Sequence, residues 1–435
     1  MGKGTVRVRR RCRAAAATIA LVAGVAAVSA QRGGWFIESR DHPAIEYSTG
    51  ALSNPVAALN QKLRDGTVEL SYEPINGYLG SVLDALRIPR ESQVTVFSPT
   101  SFQASKIKLN NPRTLYFNDD TSIGWVRNGR VLEVATLDAT QGVVFYMLDD
   151  EEPTDVPQFE RNDDCLACHL TRDTLGVPGL VVYSVAPLAD AKAYRSASVI
   201  DHRSPLEERW GGWYVTGGHG IRHKGNVPTE GVRPDARADA PTPEFETLAD
   251  ARFDLEGYLT PHSDIAALML LEHQTHMTNL LTRMGWEARV APSAPDREVA
   301  RRRMRDTASE LVDYLLFVDE TPLTEVSGRL EGASGFAEVF SAGGPHDSEG
   351  RSLRQLDLED RLLRYPCSYM IYTAAFDALP ADALDLVYRR MWEVLSGDED
   401  APRYAGLSRA DRQAVVDILR DTKPGLPAYF GPVSR

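Results

Sequence analysis

Cys165-Leu166-Ala167-Cys168-His169 puts two thiols and an imidazole within five residues. Three chemistries use such a cluster. A redox dithiol of the thioredoxin kind belongs at a helix N-terminus in a βαβ context and usually lacks the trailing histidine. A structural zinc site needs four ligands, typically including a second close pair, and the chain has no second C-x-x-C. Covalent c-type haem is attached at C-x-x-C-H. On a helical turn, positions i and i+3 share a face about 5–6 Å apart, so both sulfurs can reach the two haem vinyl groups as thioethers. The histidine that follows then ligates the iron. The reading is one haem c, attached through Cys165 and Cys168, with His169 as its proximal iron ligand.

The compartment agrees with that chemistry. Lys3, Arg7, Arg9, Arg10, Arg11 and Arg13 precede an apolar run from Ala14 to Ala30 that ends in small residues. This is the pattern of a cleaved secretory signal, and the run is short for a membrane span, which takes about 20 residues. The expected location is periplasmic or secreted, with no membrane span after cleavage. The chain carries 48 Lys and Arg against 61 Asp and Glu, and loss of the basic leader widens that excess. Such a charge suits neither nucleic acid nor an anionic membrane surface. Of the four cysteines, Cys12 lies in the leader, so only the close pair and Cys367 remain. No disulfide framework is available, and Cys367, among aromatic residues, reads as a buried thiol.

The sixth iron ligand separates an electron carrier from a site that binds small molecules. His219 lies between glycines in Trp210-Gly211-Gly212-Trp213-Tyr214-Val215-Thr216-Gly217-Gly218-His219-Gly220, where backbone could approach a flat ligand and the aromatics could wall it. His219 is therefore the expected distal ligand, against the reading of a Gly-rich hairpin with surface histidines. His223 follows it closely. His273 shares a helical face with Met269 and Met277; it is either a ligand or a buried, hydrogen-bonded core histidine. Met370 is a weaker candidate. Arg203, in Asp201-His202-Arg203-Ser204-Pro205, either meets haem carboxylates or belongs to a turn.

These residues need elements to position them. Short β-branched and aromatic runs at 93–97, 114–117, 123–126, 130–134 and 143–147, punctuated by Asn118-Asp119-Asp120 and Asn128-Gly129, predict an antiparallel meander. A short helix is expected over 56–63. Helical patterns cover 263–285, 296–319, 353–376, 381–396 and 408–421, the last with Ser408 and Asp411 as a capping start. Residues 226–247 read as a long Pro-containing loop. The expected class is α+β, divided as leader 1–30, β-rich region 31–150, haem segment 151–247 and helical region 248–435.

The chain also resembles a family of secreted bacterial single-haem c-type cytochrome proteins. Leu115–Asp120 with Gly124–Val126, the CLACH stretch with Gly176-Val177-Pro178-Gly179, Asp201–Pro205, Trp210–Gly220, Leu271–Gln274 and Tyr365–Tyr369 carry the likeness through most of the mature length. The resemblance implies a c-type cytochrome and names no substrate. Lys224 stands where the family pattern tends to place methionine; if that methionine served iron, His219 or His223 is favoured here. Three functions are thereby set against each other. The first is electron transfer with an unidentified redox partner. The second is a haem enzyme, peroxidase-like or an oxidoreductase of small molecules, with an open or displaceable distal site. The third is a non-haem binding protein whose C-x-x-C holds a metal or a disulfide.

Overall fold

Runs of β-branched and aromatic residues separated by Asn, Asp and Gly turns fold into an antiparallel meander. The structure is a computed structural model and describes residues 40–151, 155–185, 197–218, 220–226, 242–324 and 330–433. The expected leader 1–30, His219 and most of the expected loop 226–247 lie outside those residues. Strands β1 (Val94–Val96), β2 (Arg113–Phe117), β3 (Thr121–Val126), β4 (Val131–Asp138) and β5 (Gly142–Asp149) pair consecutively, and β6 (Glu160–Arg161) extends the sheet beyond β5. Strands β7 (Val182–Val185) and β8 (Ala197–Ile200) pair with each other, and β9 (Trp213–Tyr214) completes the main sheet beside β1. Asn118 Oδ1 accepts the N–H groups of Asp120 and Thr121 at the β2–β3 turn. Asn128, left-handed at φ 58°, precedes Gly129 at the β3–β4 turn.

Side chains alternate between the two sheet faces. Tyr116, Ile123, Trp125, Leu132, Val134 and Leu148 fill one face and share a core with helices α1 (Pro55–Arg64) and α2 (Leu79–Leu86). The opposite face is half-covered at its centre, where Leu115, Ser122, Glu133, Ala135 and Met147 keep partial exposure. The single turn α3 (Leu166–His169) follows β6.

Helix α4 (Ile265–Val290) organises the remainder. Every residue in it except His276 and Arg289 is buried. Such a helix sits inside a core, with neighbours all round. Helices α5 (Arg297–Leu315), α6 (Phe336–Ala342), α7 (Ala374–Asp377) and α8 (Ala381–Ser396) pack on it, β5 lies against it, and α9 (Arg409–Thr422) packs on α8. The protein is thus α+β, with the sheet in the N-terminal half and most helices in the C-terminal half. Among the described residues no helix is long and apolar enough to cross a membrane.

The strands, α1, α8 and α9 fall within a few residues of expectation, and α9 opens with the expected Ser408–Asp411 capping box. The helix expected over 353–376 does not form. Asp357 Oδ1 instead accepts the N–H groups of Glu359 and Asp360, Leu358 is left-handed at φ 64°, and Leu356 bridges Leu363. Side-chain-to-backbone bonding by aspartate competes with helix, and Pro366 removes a further donor. Only a 3₁₀ turn at Tyr369–Tyr372 and the short α7 remain of that helix. Helices α2 and α6 form where none was expected.

Asp264 holds the start of α4 from two sides. Its Oδ1 caps the N–H groups of Ala266 and Ala267, and its Oδ2 accepts from Ser334 N–H and Oγ–H. Asp264→Ala is expected to lower the unfolding free energy by about 2 kcal/mol in urea titrations, since it removes a buried cap and leaves donors unpaired. Asp264→Asn, which keeps the cap, should lose less. Equal stability of all three forms would show that the cap carries no load.

Candidate functional site

The CLACH turn is held from both ends. Asn162 Oδ1 accepts the Asp164 N–H and starts a 3₁₀ turn, Asp163–Cys165, that runs directly into α3. Leu166 is buried and anchors the turn, leaving Cys165 half-buried and Cys168 exposed. Upstream, Arg161 lies over the Tyr47 ring, 4.5 Å from its centroid, and donates to Tyr47 O at 2.7 Å. The Phe145 ring, on β5, packs 4.7 Å from the His169 ring.

His169 Nδ1 sits 2.9 Å from Gly179 O, and Gly179 N–H donates back to His169 O at 2.9 Å. A carbonyl oxygen only accepts, so Nδ1 carries the ring proton and Nε2 keeps its lone pair. Burial lowers the His169 pKa, so the imidazole is neutral near pH 7. The Gly179 carbonyl is placed by α4. Asn279 accepts the Leu180 N–H at 2.9 Å and donates to Leu180 O at 2.7 Å. A Cβ on residue 179 would collide with Asn279 Oδ1, so the approach requires glycine. The histidine is thereby oriented through two links: Asn279 holds the 179–180 segment, and that segment holds the ring.

The half-covered sheet face lies beside this turn. Arg113 Nη2 pairs with Glu133 Oε2 at 2.7 Å, and Ser101 Oγ donates to Glu133 Oε1 at 2.6 Å. Gly124 leaves the room the guanidinium occupies, and Arg113 Nε is buried without a hydrogen-bond partner. Both charges act on the site. Burial, and after it Glu133, pushes the Cys165 thiol up to about 11, while Arg113 adds to the lowering of His169. A neutral thiol at Cys165 is the opposite of the acidic thiolate on which a redox dithiol depends.

Other expected residues meet elsewhere. The Asp201–Pro205, Trp210, Leu271–Gln274 and Ser368 segments converge on one buried polar cluster. His273 Nδ1 lies 2.8 Å from His202 Nδ1, and its Nε2 lies 2.7 Å from Ser368 Oγ. Both nitrogens are engaged, as the reading of His273 as a buried, hydrogen-bonded core histidine expects. Arg209 pairs with Glu272 at 3.1 Å, and the Trp210 indole N–H also donates to Glu272. Burial pushes the Glu272 carboxyl up to about 8 against the pull of Arg209. Arg203 pairs with Asp201 at 2.6 Å and lies over the Tyr314 ring, and Ser204 N–H closes a turn on Asp201 O. Arg203 thus belongs to a turn whose charge is met within the protein.

His223 Nδ1 accepts the Gly225 N–H at 2.9 Å, and the ring packs edge-on against Trp210. An accepting Nδ1 puts the neutral ring's proton on Nε2, which leaves no lone pair there for iron. Of the expected aromatic walls, Trp213 and Tyr214 are buried, and Trp213 donates to Tyr183 O and Tyr214 to Leu109 O. Gly211 is needed because a Cβ there would collide with Val185 O, so at least this glycine admits a strand. His219 lies outside the described residues. Met370 and Cys367 are fully buried in the helical core, where burial raises the Cys367 pKa. Asn279, Arg113, Glu133 and Phe145 were not among the expected site residues. They lie on other elements, and only the Gly176–Gly179 phrase pointed toward the ring's partner.

These features define an α+β protein with a one-turn C-x-x-C-H segment clamped between its sheet and its central helix. No family model, curated protein or solved structure matches the chain.

His276 is only half-buried by its own exposure, but the loss of surrounding water beside Arg203 and Asp201 lowers its pKa to about 4. Between about 6.5 and 4 the unfolded chain therefore binds a proton that the folded chain refuses. This contribution to stability is complete above about pH 6.5 and is lost as pH falls toward 4. In His276→Gln the fall of unfolding free energy across that window should be shallower than in the parent by up to about one proton. Parallel pH profiles would show that the folded state does not keep His276 neutral.

Proposed function

We propose that the chain is an exported c-type haem protein acting in electron transfer, with one haem covalently attached through Cys165 and Cys168 and His169 as its proximal ligand. The observation that carries this reading is the His169 Nδ1–Gly179 O contact at 2.9 Å. A metal-bound histidine ordinarily donates its other ring N–H to a carbonyl or carboxylate, which fixes the tautomer and raises the basicity of the ligating nitrogen. The chain supplies that partner together with a neutral ring. The donor set fits the group: two thiols three residues apart on a helical turn, and an imidazole directly after them. When bound, the haem supplies a one-electron couple at its iron. The chain's residues attach it, present Nε2, and set charge beside it through Arg113 and Glu133.

His219 is the proposed distal ligand, supported by the engagement of His223 and His273 in other bonds. The proposed location is the periplasm or the exterior, supported by the basic-then-apolar N-terminus. The electron donor or acceptor is a separate protein, and the acidic surface favours a basic docking face on it.

A second reading, a haem enzyme with a displaceable distal position, is favoured by the Arg113–Glu133 pair. A guanidinium with a buried, unpartnered Nε and a carboxylate both lie within electrostatic reach of His169. The Glu133 carboxylate can accept and return a proton at a bound small molecule, and the Arg113 guanidinium can hold a negative charge there.

Expression with c-type maturation machinery, followed by visible spectra of both redox states with and without carbon monoxide, tests both readings. The expected result is covalent haem, lost in Cys165→Ser/Cys168→Ser, and a low-spin spectrum indifferent to carbon monoxide that changes in His169→Ala. A folded protein with no covalent haem overturns the proposal. Rapid carbon monoxide binding selects the enzyme.

Asn279→Ala releases the segment that orients His169. It should keep the haem but shift its reduction potential, and reduced protein should show partial carbon monoxide binding as the ring loosens. An unchanged potential would show that the Leu180 contacts do not set the ring.

A further inference from the structure

The half-covered sheet face and the CLACH turn are fastened to the same strand. The His169 ring packs on Phe145 of β5. Two residues further along β5, Met147 Sδ accepts from Asn162 Nδ2 at 2.8 Å, and the Oδ1 of that same Asn162 caps the turn. Phe145 and Met147 point to one face of the sheet. Two rows of cross-strand neighbours run from them. Phe145 opposes Ala135, which opposes Ser122; Met147 opposes Glu133, which opposes Gly124. Gly124 in turn opposes Leu115 of β2. From β5 to β2 the face is about 14 Å wide, three strand spacings, with the C-x-x-C-H turn at one side.

This face is open to an occupant. Ser122, Glu133, Ala135 and Met147 all keep partial exposure. Phe102, 61 % exposed, follows Ser101, whose Oγ donates to Glu133. An exposed aromatic beside an uncovered, largely apolar surface marks a place where something binds. The polar atoms show what kind of group it is. Both Glu133 oxygens are engaged, one by Ser101 and one by Arg113 Nη2. Arg113 Nη1 and His169 Nε2 make no hydrogen bond within the described residues, and neither is among their sealed, unpartnered polar atoms, so both meet solvent. An open edge of a guanidinium fork takes a carboxylate. Arg203, the arginine expected to do so, is spent on Asp201. A flat apolar group with a carboxylate, tethered at the adjacent cysteines, meets all of these conditions.

We propose that this face is the bed of the attached haem, with Ser122, Ala135 and Met147 beneath the porphyrin, Phe102 at its rim and Arg113 Nη1 on one of its carboxylates. The inference rests on the haem reading above and adds where the group lies and which residue holds its charge.

Two measurements on the matured, haem-loaded protein test it. The first is maleimide labelling of Ser122→Cys, compared between the loaded form and the haem-free form that also carries Cys165→Ser/Cys168→Ser. Labelling should be at least tenfold slower in the loaded form, with the buried Cys367 giving the background in protein lacking Ser122→Cys. The second is the reduction potential. Arg113→Met removes a positive charge that favours the reduced iron, so the potential should fall by about 59 mV, a tenfold change in the one-electron equilibrium. Arg113→Lys, which keeps the charge, should stay near the parent, and Glu133→Gln should raise the potential. Loaded protein whose Ser122→Cys labels as fast as the haem-free form leaves the face free for another partner and overturns the bed while the haem reading stands. An Arg113→Met potential equal to the parent's does the same. A folded parent with no covalent haem overturns both.

Discussion

Helix α4 is buried along almost its whole length, and its polar side chains must find partners inside the protein. That requirement dictates where the surrounding segments dock. Glu272 draws in Arg209 and Trp210. His273 takes His202 on one nitrogen and Ser368 on the other. Gln274 donates to Asn118 O at the β2–β3 turn and accepts from Tyr369. Asn279 brackets Leu180. Each of these bonds is modest by itself, about 1 kcal/mol net, but leaving any of them unmade in the core costs more. The helix therefore acts as a template on which irregular segments acquire fixed positions.

The geometry at His169 is one consequence. The CLACH turn belongs to the sheet side of the protein, through Leu166, Phe145 and the cap by Asn162. The carbonyl that orients its imidazole belongs to a loop pinned to α4. The ring is set where the two halves of the protein meet, so neither half determines its tautomer without the other. The same junction brings the Arg113–Glu133 pair of the half-covered sheet face within electrostatic range of both the histidine and Cys165.

The polar cluster around His202 and His273 shows how similar-looking residues part in three dimensions. By spacing alone, His273 on an apolar helical face and His169 after a cysteine pair are both plausible ligands. The contacts separate them. One ring presents a lone pair on Nε2, while the other spends both nitrogens on neighbours. Burial lowers the pKa of each, to about 3 for His273, so both are neutral and the difference between them is one of hydrogen bonding.

Local patterns were legible wherever local physics governs. The alternation in β2 to β5, the Asn-Gly turn, the Ser408–Asp411 box of α9 and the C-x-x-C-H spacing are properties of a few consecutive residues, and the sequence by itself determined them. The 353–376 segment was misread because apolar periodicity was weighed without the turn bonding of Asp357, which only a settled environment resolves in its favour. What the tertiary structure alone decided is the partnering: Asn279 with Leu180, His169 with Gly179, and Arg113 with Glu133. These contacts join residues well apart in the chain, most of them on different elements. No spacing rule encodes them, because they arise from the need to pair polar groups that the fold as a whole has removed from water.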